Sequence, residues 1–477
     1  MKEYDLIVIG TGSGMEIADA AVRENPDLKV AIIDKDEPGG ICLTRGCIPT
    51  KLLIYPAGIV GIIQRSKDFG IHAEIKKIDF PAVMQRMQSS IDHDINMIRT
   101  GLQNSNNFDY YPKKAEFTEP YTLKVEDELI TSKMILLCTG SKPSIPPIEG
   151  LEETGYLTSD TILRINQLPA SIAIIGGGYI AAEFGHFLSS MGSKVTIIGR
   201  NPQFIPEEEP EISALAKREL QKNLTLITNH EVRKVERVNE GKRLTSVNRD
   251  NQQETQIIAE ELLVATGRSS NSDILHPERG EIKTDSKGFI IVDEYLQTSQ
   301  PNIYALGDAN GKFPFKHVAN YEAKIVYYNA ILKTKTEVDY HAVPHAVFTD
   351  PEIASVALRE KEAIQKYGKD KILIGFYKFE DTAKGEAMNS KDSFVKVILQ
   401  RETGRILGAH IIGPQASVLI QEIINLMYTE NQSSEALTNA IHIHPALPEV
   451  VARAFRTLRT PDQYHHFLEE HSNLPLS

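Results

Sequence analysis

A chain of 477 residues is too long for one hydrophobic core and implies about three domains. Its net charge of -12 argues against nucleic acid as a partner, because phosphate neutralisation needs Lys and Arg in excess. Three cysteines do not make a secreted disulfide framework, so a reducing cytoplasm is expected, where a disulfide is catalytic rather than structural. No apolar stretch is read as reaching the ~20 residues of a membrane helix, so no membrane partner is expected; Met1 runs directly into a strand with no leader.

The first element is an apolar, strand-like run, Tyr4–Ile9, ending in Gly10-Thr11-Gly12-Ser13-Gly14. A helix-like stretch follows, then a second strand, Val30-Ala31-Ile32-Ile33, with Asp34 at its end. That is the order of a dinucleotide-binding βαβ unit. The glycines let a pyrophosphate rest on a helix N-terminus, and an acid roughly twenty residues on takes a ribose hydroxyl. The third glycine position of this fingerprint holds Met15, with Gly14 one place early, so altered helix–strand packing is expected there.

The run Gly39-Gly40-Ile41-Cys42-Leu43-Thr44-Arg45-Gly46-Cys47-Ile48-Pro49-Thr50-Lys51 comes next. Two cysteines closing so small a ring can cycle between dithiol and disulfide with little rearrangement of the chain. Ile48-Pro49-Thr50-Lys51 reads as the first turn of a helix, whose N-terminal dipole favours a thiolate at Cys47. No second Cys or His cluster of metal-ligand spacing accompanies the pair, so no metal is expected. Asp79 to about Ser105 then reads as one long helix. Ile135–Gly140 and, later, Leu262–Gly267 are strand-then-glycine segments that close two nucleotide units. Cys138 lies in the first of these and is read as structural, and Pro143–Pro147 as a crossing linker.

A second apolar strand, Ser171–Ile175, runs into Gly176-Gly177-Gly178-Tyr179-Ile180-Ala181, with Lys194–Ile198 as its partner strand. Gly176, Gly178 and Ala181 fit the same fingerprint in its Gly/Ala form. From about Tyr340 the nucleotide patterns stop and a mixed strand–helix domain begins. The fold class is therefore α/β, with two Rossmann-like dinucleotide-binding domains and a C-terminal α+β domain. The expected boundaries are 1–147 and 270–339 for a split first domain, 148–269 for the second and 340–477 for the third. Two dinucleotide units and a cysteine pair in one chain imply electron transfer between a nicotinamide, FAD and a disulfide.

These motifs, with Ile303-Tyr304-Ala305-Leu306-Gly307-Asp308 and His442-Ile443-His444-Pro445-Ala446-Leu447-Pro448-Glu449, resemble the pyridine nucleotide–disulfide oxidoreductases over nearly the whole chain. The resemblance implies Cys42 as the interchange thiol, Cys47 as the charge-transfer thiol against FAD, and Lys51 near the flavin paired with Glu183. It implies Gly10, Gly12, Gly14, Asp34, Gly40, Lys51, Gly140, Asp308 and His317 at FAD, with Asp34 on the adenosine ribose and Asp308 on the ribityl chain. It implies Gly176, Gly178, Tyr179, Glu183, Arg200 and Gly267 at NAD(H) or NADP(H), with Tyr179 covering the empty nicotinamide pocket. His444, oriented by Glu449, is the implied acid–base, supplied across a homodimer so that two active sites are shared. Thiol–disulfide exchange itself needs a protonated leaving group, and only His titrates near neutrality without large perturbation.

The family spans dihydrolipoamide dehydrogenases and small-disulfide reductases of the mycothione and glutathione reductase type. The wider occurrence of lipoamide favours the first, with a lipoyl carrier protein as partner; a small disulfide is the alternative. Asn473–Ser477 carry no second cysteine pair of the kind found in some relatives. Where an NAD enzyme places an acid after the second unit's partner strand, this chain has Gly199 and Arg200, and an Arg can bind a 2′-phosphate; the second Arg of NADPH-dependent relatives is replaced by Pro206. Thr44-Arg45 inside the disulfide loop departs from the family. Arg45 is either a solvent-facing charge or a group that lowers a thiol pKa and favours acidic disulfides.

Overall fold

The computed structural model describes residues 1–471; the cysteine-free Asn473–Ser477 lie outside them. Four apolar runs become the strands β1 (Leu6–Ile9), β2 (Val30–Ile33), β3 (Phe108–Tyr111) and β4 (Ile135–Leu137). With Ile303–Ala305 they make a five-stranded parallel sheet in the order Ile303–Ala305, β4, β1, β2, β3. β1, β2 and β4 are buried at every position, as parallel strands covered on both faces must be. The helices of this part are α1 (Gly14–Glu24), α2 (Cys47–Arg65) and α3 (Phe80–Gln103). α3 is the long helix expected from the sequence, started by the Asp79 carboxylate, which accepts from the Ala82 N–H at 3.2 Å.

A second parallel sheet repeats the pattern with β5 (Ser171–Ile175), β6 (Lys194–Ile198), β7 (Thr225–Ile227) and β8 (Glu261–Val264). Its order is Leu157–Thr158, β8, β5, β6, β7, so the strand carrying the glycine turn is again central. α4 (Tyr179–Met191) follows that turn and α5 (Pro210–Leu220) follows β6. The Pro-rich crossing Pro143–Pro147 begins where Ser141–Pro143 pairs antiparallel with Arg268–Ser270, the strand on which the chain returns.

After α6 (Lys316–Val326) comes a six-stranded antiparallel sheet made of β9 (Pro344–Val347), β10 (Ile353–Ala357), β11 (Ile372–Lys378), β12 (Phe394–Gln400), β13 (Ile406–Ile412) and β14 (Leu458–Arg459). Its order is β9, β10, β13, β12, β11, β14, with α7 (Glu360–Tyr367), α8 (Pro448–Ala454) and α9 (Pro461–His471) among its helices.

Two expectations are corrected by the packing. A Cβ on Gly14 would stand 2.5 Å from the Cys138 sulfur and 3.0 Å from Val8, so Gly14 provides the close helix–strand contact and Met15 is free to be large. The helical run Gly40–Phe69, whose apolar part has a mean hydropathy of 1.6, is long and apolar enough by length and composition to span a bilayer. Its apolar character is divided between two faces. Leu53, Ala57 and Val60 are buried in the core shared with α3 and α4, whereas Tyr55, Ile59 and Ile62 are exposed.

Candidate active site

A cavity of about 1050 Å³ opens beyond the C-terminal ends of the first sheet, where α/β folds place their ligands. Its floor is backbone. Gly40 has φ +70°, and a Cβ there would lie 2.7 Å from the Gly12 Cα, so the two glycine turns meet with no side chain between them. Asp34 accepts from the Thr11 N–H at 2.8 Å, the Thr11 hydroxyl at 2.6 Å and the Asp36 N–H at 3.0 Å. Burial pushes its carboxyl pKa up, with those hydrogen bonds pulling the other way. Asp308 accepts from the Ser141 hydroxyl and has the Arg268 Nε at 3.8 Å. Gly10, Gly140 and His317 line the same cavity, with the His317 Nε2 2.8 Å from the Pro344 carbonyl. A glycine-floored cleft, an acid at the end of β2 and a second acid lining the cavity fit an extended dinucleotide such as FAD.

Both cysteines face this cavity as free thiols, Cys47 at the first position of α2 and Cys42 on the preceding helical turn, Gly40–Thr44. Hydrogen bonding from Cys42, aided by the Lys51 charge and opposed by burial, lowers the Cys47 thiol to about 6. The same bond, with burial, raises the Cys42 thiol. The reduced pair therefore holds a thiolate on Cys47 and a proton on Cys42. Lys51 donates to both oxygens of Glu183 at 2.9 and 2.8 Å and stands 4.6 Å from the Phe348 ring centre. Glu183 also accepts from the Phe348 N–H at 3.0 Å, so a buried acid of the second nucleotide fold fixes a cation beside the thiols. Cys138 behaves as a packing residue, its thiol pushed up to about 12 by burial.

Arg45 lines the same cavity and is engaged by two carboxylates. Its guanidinium is 2.7 Å from Asp36 and 3.2 Å from Asp160, so it ties the redox loop to the ribose-side loop and to the start of the second nucleotide fold. This double ion pair accounts for the Arg45 charge without the thiols. Arg45→Ala is expected to leave the pH at which the charge-transfer band develops unshifted, with a stability loss of about 1 kcal/mol. A band displaced to higher pH in an anaerobic titration would restore the thiol-tuning role.

Several sequence-predicted residues lie outside the cavity. Gly176, Gly178, Arg200 and Gly267 belong to the second glycine turn and its sheet edge; only Tyr179 and Glu183 of the predicted nicotinamide set reach the cavity. Arg200 is exposed, and Gly199 is held without a side chain because its Cβ would sit 3.2 Å from the Gly177 Cα. A second arginine does reach this edge, not at position 206 but from a hairpin: Arg249 donates to the Arg200 carbonyl at 3.1 Å. His444 and Glu449 are likewise outside the cavity, on the C-terminal domain, with the His444 Nδ1 3.0 Å from the Glu449 carboxylate. That hydrogen bond holds the Glu449 carboxyl below its usual range. Sequence reasoning missed Lys316, which precedes His317 and donates to the Ser13 hydroxyl at 2.8 Å above the first glycine turn. Its position at the start of an amphipathic helix beside the His317 motif was the available signal.

Residues 4–323 match the family model of the pyridine nucleotide-disulphide oxidoreductases, and residues 343–455 match the dimerisation domain of that family. The chain is 37% identical to mycothione reductase of Mycobacterium tuberculosis over 96% of its own length and 100% of that protein. It is 35% identical to dihydrolipoyl dehydrogenase of Chlamydia trachomatis, covering 95% of this chain and 96% of the other. Among solved structures it is similar to the HOCl-induced flavoprotein disulfide reductase RclA from Escherichia coli, with a TM-score of 0.83 and 27% identity, covering 95% of this chain and 99% of that one. The chain thus belongs to the pyridine nucleotide–disulfide oxidoreductases, FAD enzymes that work with NAD(P)H and carry a dedicated dimerisation domain.

Proposed function

We propose that this protein is a homodimeric, NADP(H)-linked reductase of a low-molecular-weight disulfide. The observation that carries the nucleotide choice is the edge of the second fold, where Gly199 stands in place of an acid, Arg200 is exposed and the Arg249 side chain donates to the Arg200 carbonyl. Arginines at this edge with no acid at position 199 suit a 2′-phosphate better than a bare ribose. Bound FAD supplies the two-electron link between nicotinamide and disulfide. In the reduced pair, Cys42 gives its proton to His444 of the partner subunit as its sulfur attacks the substrate disulfide, forming a mixed disulfide and expelling one thiolate, which takes that proton back from the imidazole. The Cys47 thiolate then attacks the Cys42 sulfur, restoring the Cys42–Cys47 disulfide and expelling the second thiolate, which is protonated from solvent. Lys51, held by Glu183, keeps that thiolate charged until it is used. The exposed Tyr55, Ile59 and Ile62 of α2, and Ile441 and Ile443 beside His444, are the apolar surfaces that a second copy would cover.

Dihydrolipoamide oxidation by NAD⁺ is the second reading, favoured by the His442-Ile443-His444-Pro445 spelling and by the similarity to dihydrolipoyl dehydrogenase. Anaerobic turnover with dihydrolipoamide, comparing NAD⁺ with NADP⁺, separates the two. We expect little turnover with either, rapid flavin reduction by NADPH, and a loss of about 10- to 100-fold in the NADPH/NADH ratio of kcat/KM when Arg200 and Arg249 are both replaced by Ala. Fast NAD⁺ reduction with a ratio unmoved by the arginine substitutions would establish the second reading.

A further inference from the structure

One wall of the cavity carries a group that the thiol chemistry leaves unused. Phe315, just before α6, lies nearly parallel to two imidazoles, His317 at 5.4 Å between ring centres and His345 at 5.8 Å. Tyr179 leans on the same phenyl ring at 6.2 Å. His345 comes from β9, and its Nε2 lies 2.6 Å from a Glu208 oxygen. Glu208 has a fully buried side chain, and its other oxygen accepts from the Ser355 hydroxyl at 2.5 Å. One ion pair therefore joins the segment before α5, the C-terminal sheet and the aromatic surface against which Tyr179 rests.

We propose that His345, gripped by Glu208, is a positioning residue for nicotinamide entry: with its proton it holds Phe315, and so Tyr179, in the closed arrangement, and without it the wall loosens. The proposal rests on Tyr179 covering the nicotinamide pocket. The charged groups facing His345 are Glu208 and Glu207 from the segment before α5, Arg359 at the start of α7 and His317 of α6. Behind Glu208 stand Ser355 of β10 and His410 of β13. Burial lowers the His345 pKa, but Glu208 more than offsets it and the net direction is upward. Desolvation lowers that of His317, so the two stacked imidazoles are shifted in opposite directions and His345 is the one that keeps its proton to higher pH. A desolvated cation on a ring face is attracted where a neutral imidazole only stacks, and the buried Glu208 loses its counter-ion when that proton leaves. Because its folded pKa is raised, the grip from His345 is complete below about pH 6.5 and is lost as pH rises through the folded value. The Glu208 pKa is depressed, burial being outweighed by His345 and Ser355, so acid below the carboxylate range also breaks the pair.

The test is stopped-flow reduction of the FAD-loaded enzyme by NADPH between pH 6 and 9, which separates apparent Kd from the limiting rate. In the wild type the apparent Kd is expected to tighten by about ten-fold as His345 deprotonates, with the limiting rate little changed. His345→Gln keeps a hydrogen bond to Glu208 without a titrating charge, and should show the tight, high-pH Kd throughout. His345→Phe, which keeps only the stack, should also lose the profile and serves if the first variant does not fold. The titration of NADPH itself is common to all the proteins and cancels in the comparison. A profile that survives in His345→Gln or His345→Phe overturns the proposal. Tyr179→Ala separates the failures: if it abolishes the profile while the His345 variants keep it, Tyr179 gates but His345 does not control it. If Tyr179→Ala matches wild type, the gate reading and the proposal fall together.

Discussion

Replacing Lys396 with Met is expected to destabilise the protein by about 3–5 kcal/mol, the cost of stripping the cation from a buried ion cluster. Lys396 lies in β12 with no exposed surface, and its ammonium is 3.1 Å from Glu209, 3.1 Å from Glu211 and 2.8 Å from Glu360. Tyr464 of α9 places its ring 4.8 Å away and donates its hydroxyl to Glu211 at 3.0 Å, while His465 lies 2.7 Å from Glu360. Burial opposes the lysine charge, but Tyr464 and the three carboxylates more than offset it and raise its pKa well above the usual value. The raised pKa means its stabilisation is complete below about pH 10.4 and lost only as pH rises through the folded value, so the deficit of the variant persists across the neutral range. The three acids gather as a metal site would, with oxygens within 4.8 Å of one another, and the lysine is the cation they already hold. Thermal and urea denaturation are the measurements. A variant melting beside wild type would mean that the acids do not depend on Lys396. Replacing the lysine and the three acids together with apolar residues should recover most of the loss, because an apolar substitute for a whole buried cluster is often neutral.

His444→Gln is expected to lower disulfide turnover by about 10²- to 10⁴-fold while flavin reduction by the pyridine nucleotide proceeds normally. The loss falls on the half-reaction in which a leaving thiolate needs a proton, since Gln preserves much of the shape but carries no transferable one. Glu449→Gln should cost less, because the imidazole remains and loses only the carboxylate that fixes its tautomer. Mixed dimers make the stronger measurement. In a heterodimer of Cys42→Ser and His444→Gln chains, a site shared across subunits leaves one active site with both lesions and the other with none. About half of wild-type activity per dimer is then expected. A site built within one chain would leave both halves damaged and the heterodimer as inactive as its parents, which would refute the shared arrangement.

Much of this architecture is legible locally. An apolar strand, a glycine turn and a helix lie within a short stretch, so each nucleotide fold is specified by neighbours in sequence. Four strands of each parallel sheet share one order, and the edge strand differs, following them in sequence in the first sheet and preceding them in the second. The same holds for α3, whose apolar period and Asp79 cap are contiguous, and for the cysteine pair, whose chemistry needs only spacing and a helix start. The Lys51–Glu183 pair is expected only through the family resemblance, since its two residues lie in separate nucleotide units.

The tertiary structure decided what those motifs face. Pro206-Glu207-Glu208-Glu209-Pro210-Glu211 is, taken locally, a run of charge suited to solvent, yet Glu208, Glu209 and Glu211 are buried. Their counter-ions, His345 and Lys396, arrive from strands 137 and 185 or more residues further along. Arg45 pairs with Asp36 and with Asp160 of the second nucleotide fold, and Arg249 reaches the Arg200 carbonyl across a hairpin. Periodicity and glycine spacing are short-range properties, and the chain carries them whether or not it is folded. A buried charge has no such local signature, because its cost is offset only by whichever opposite charge the completed fold brings within hydrogen-bond reach.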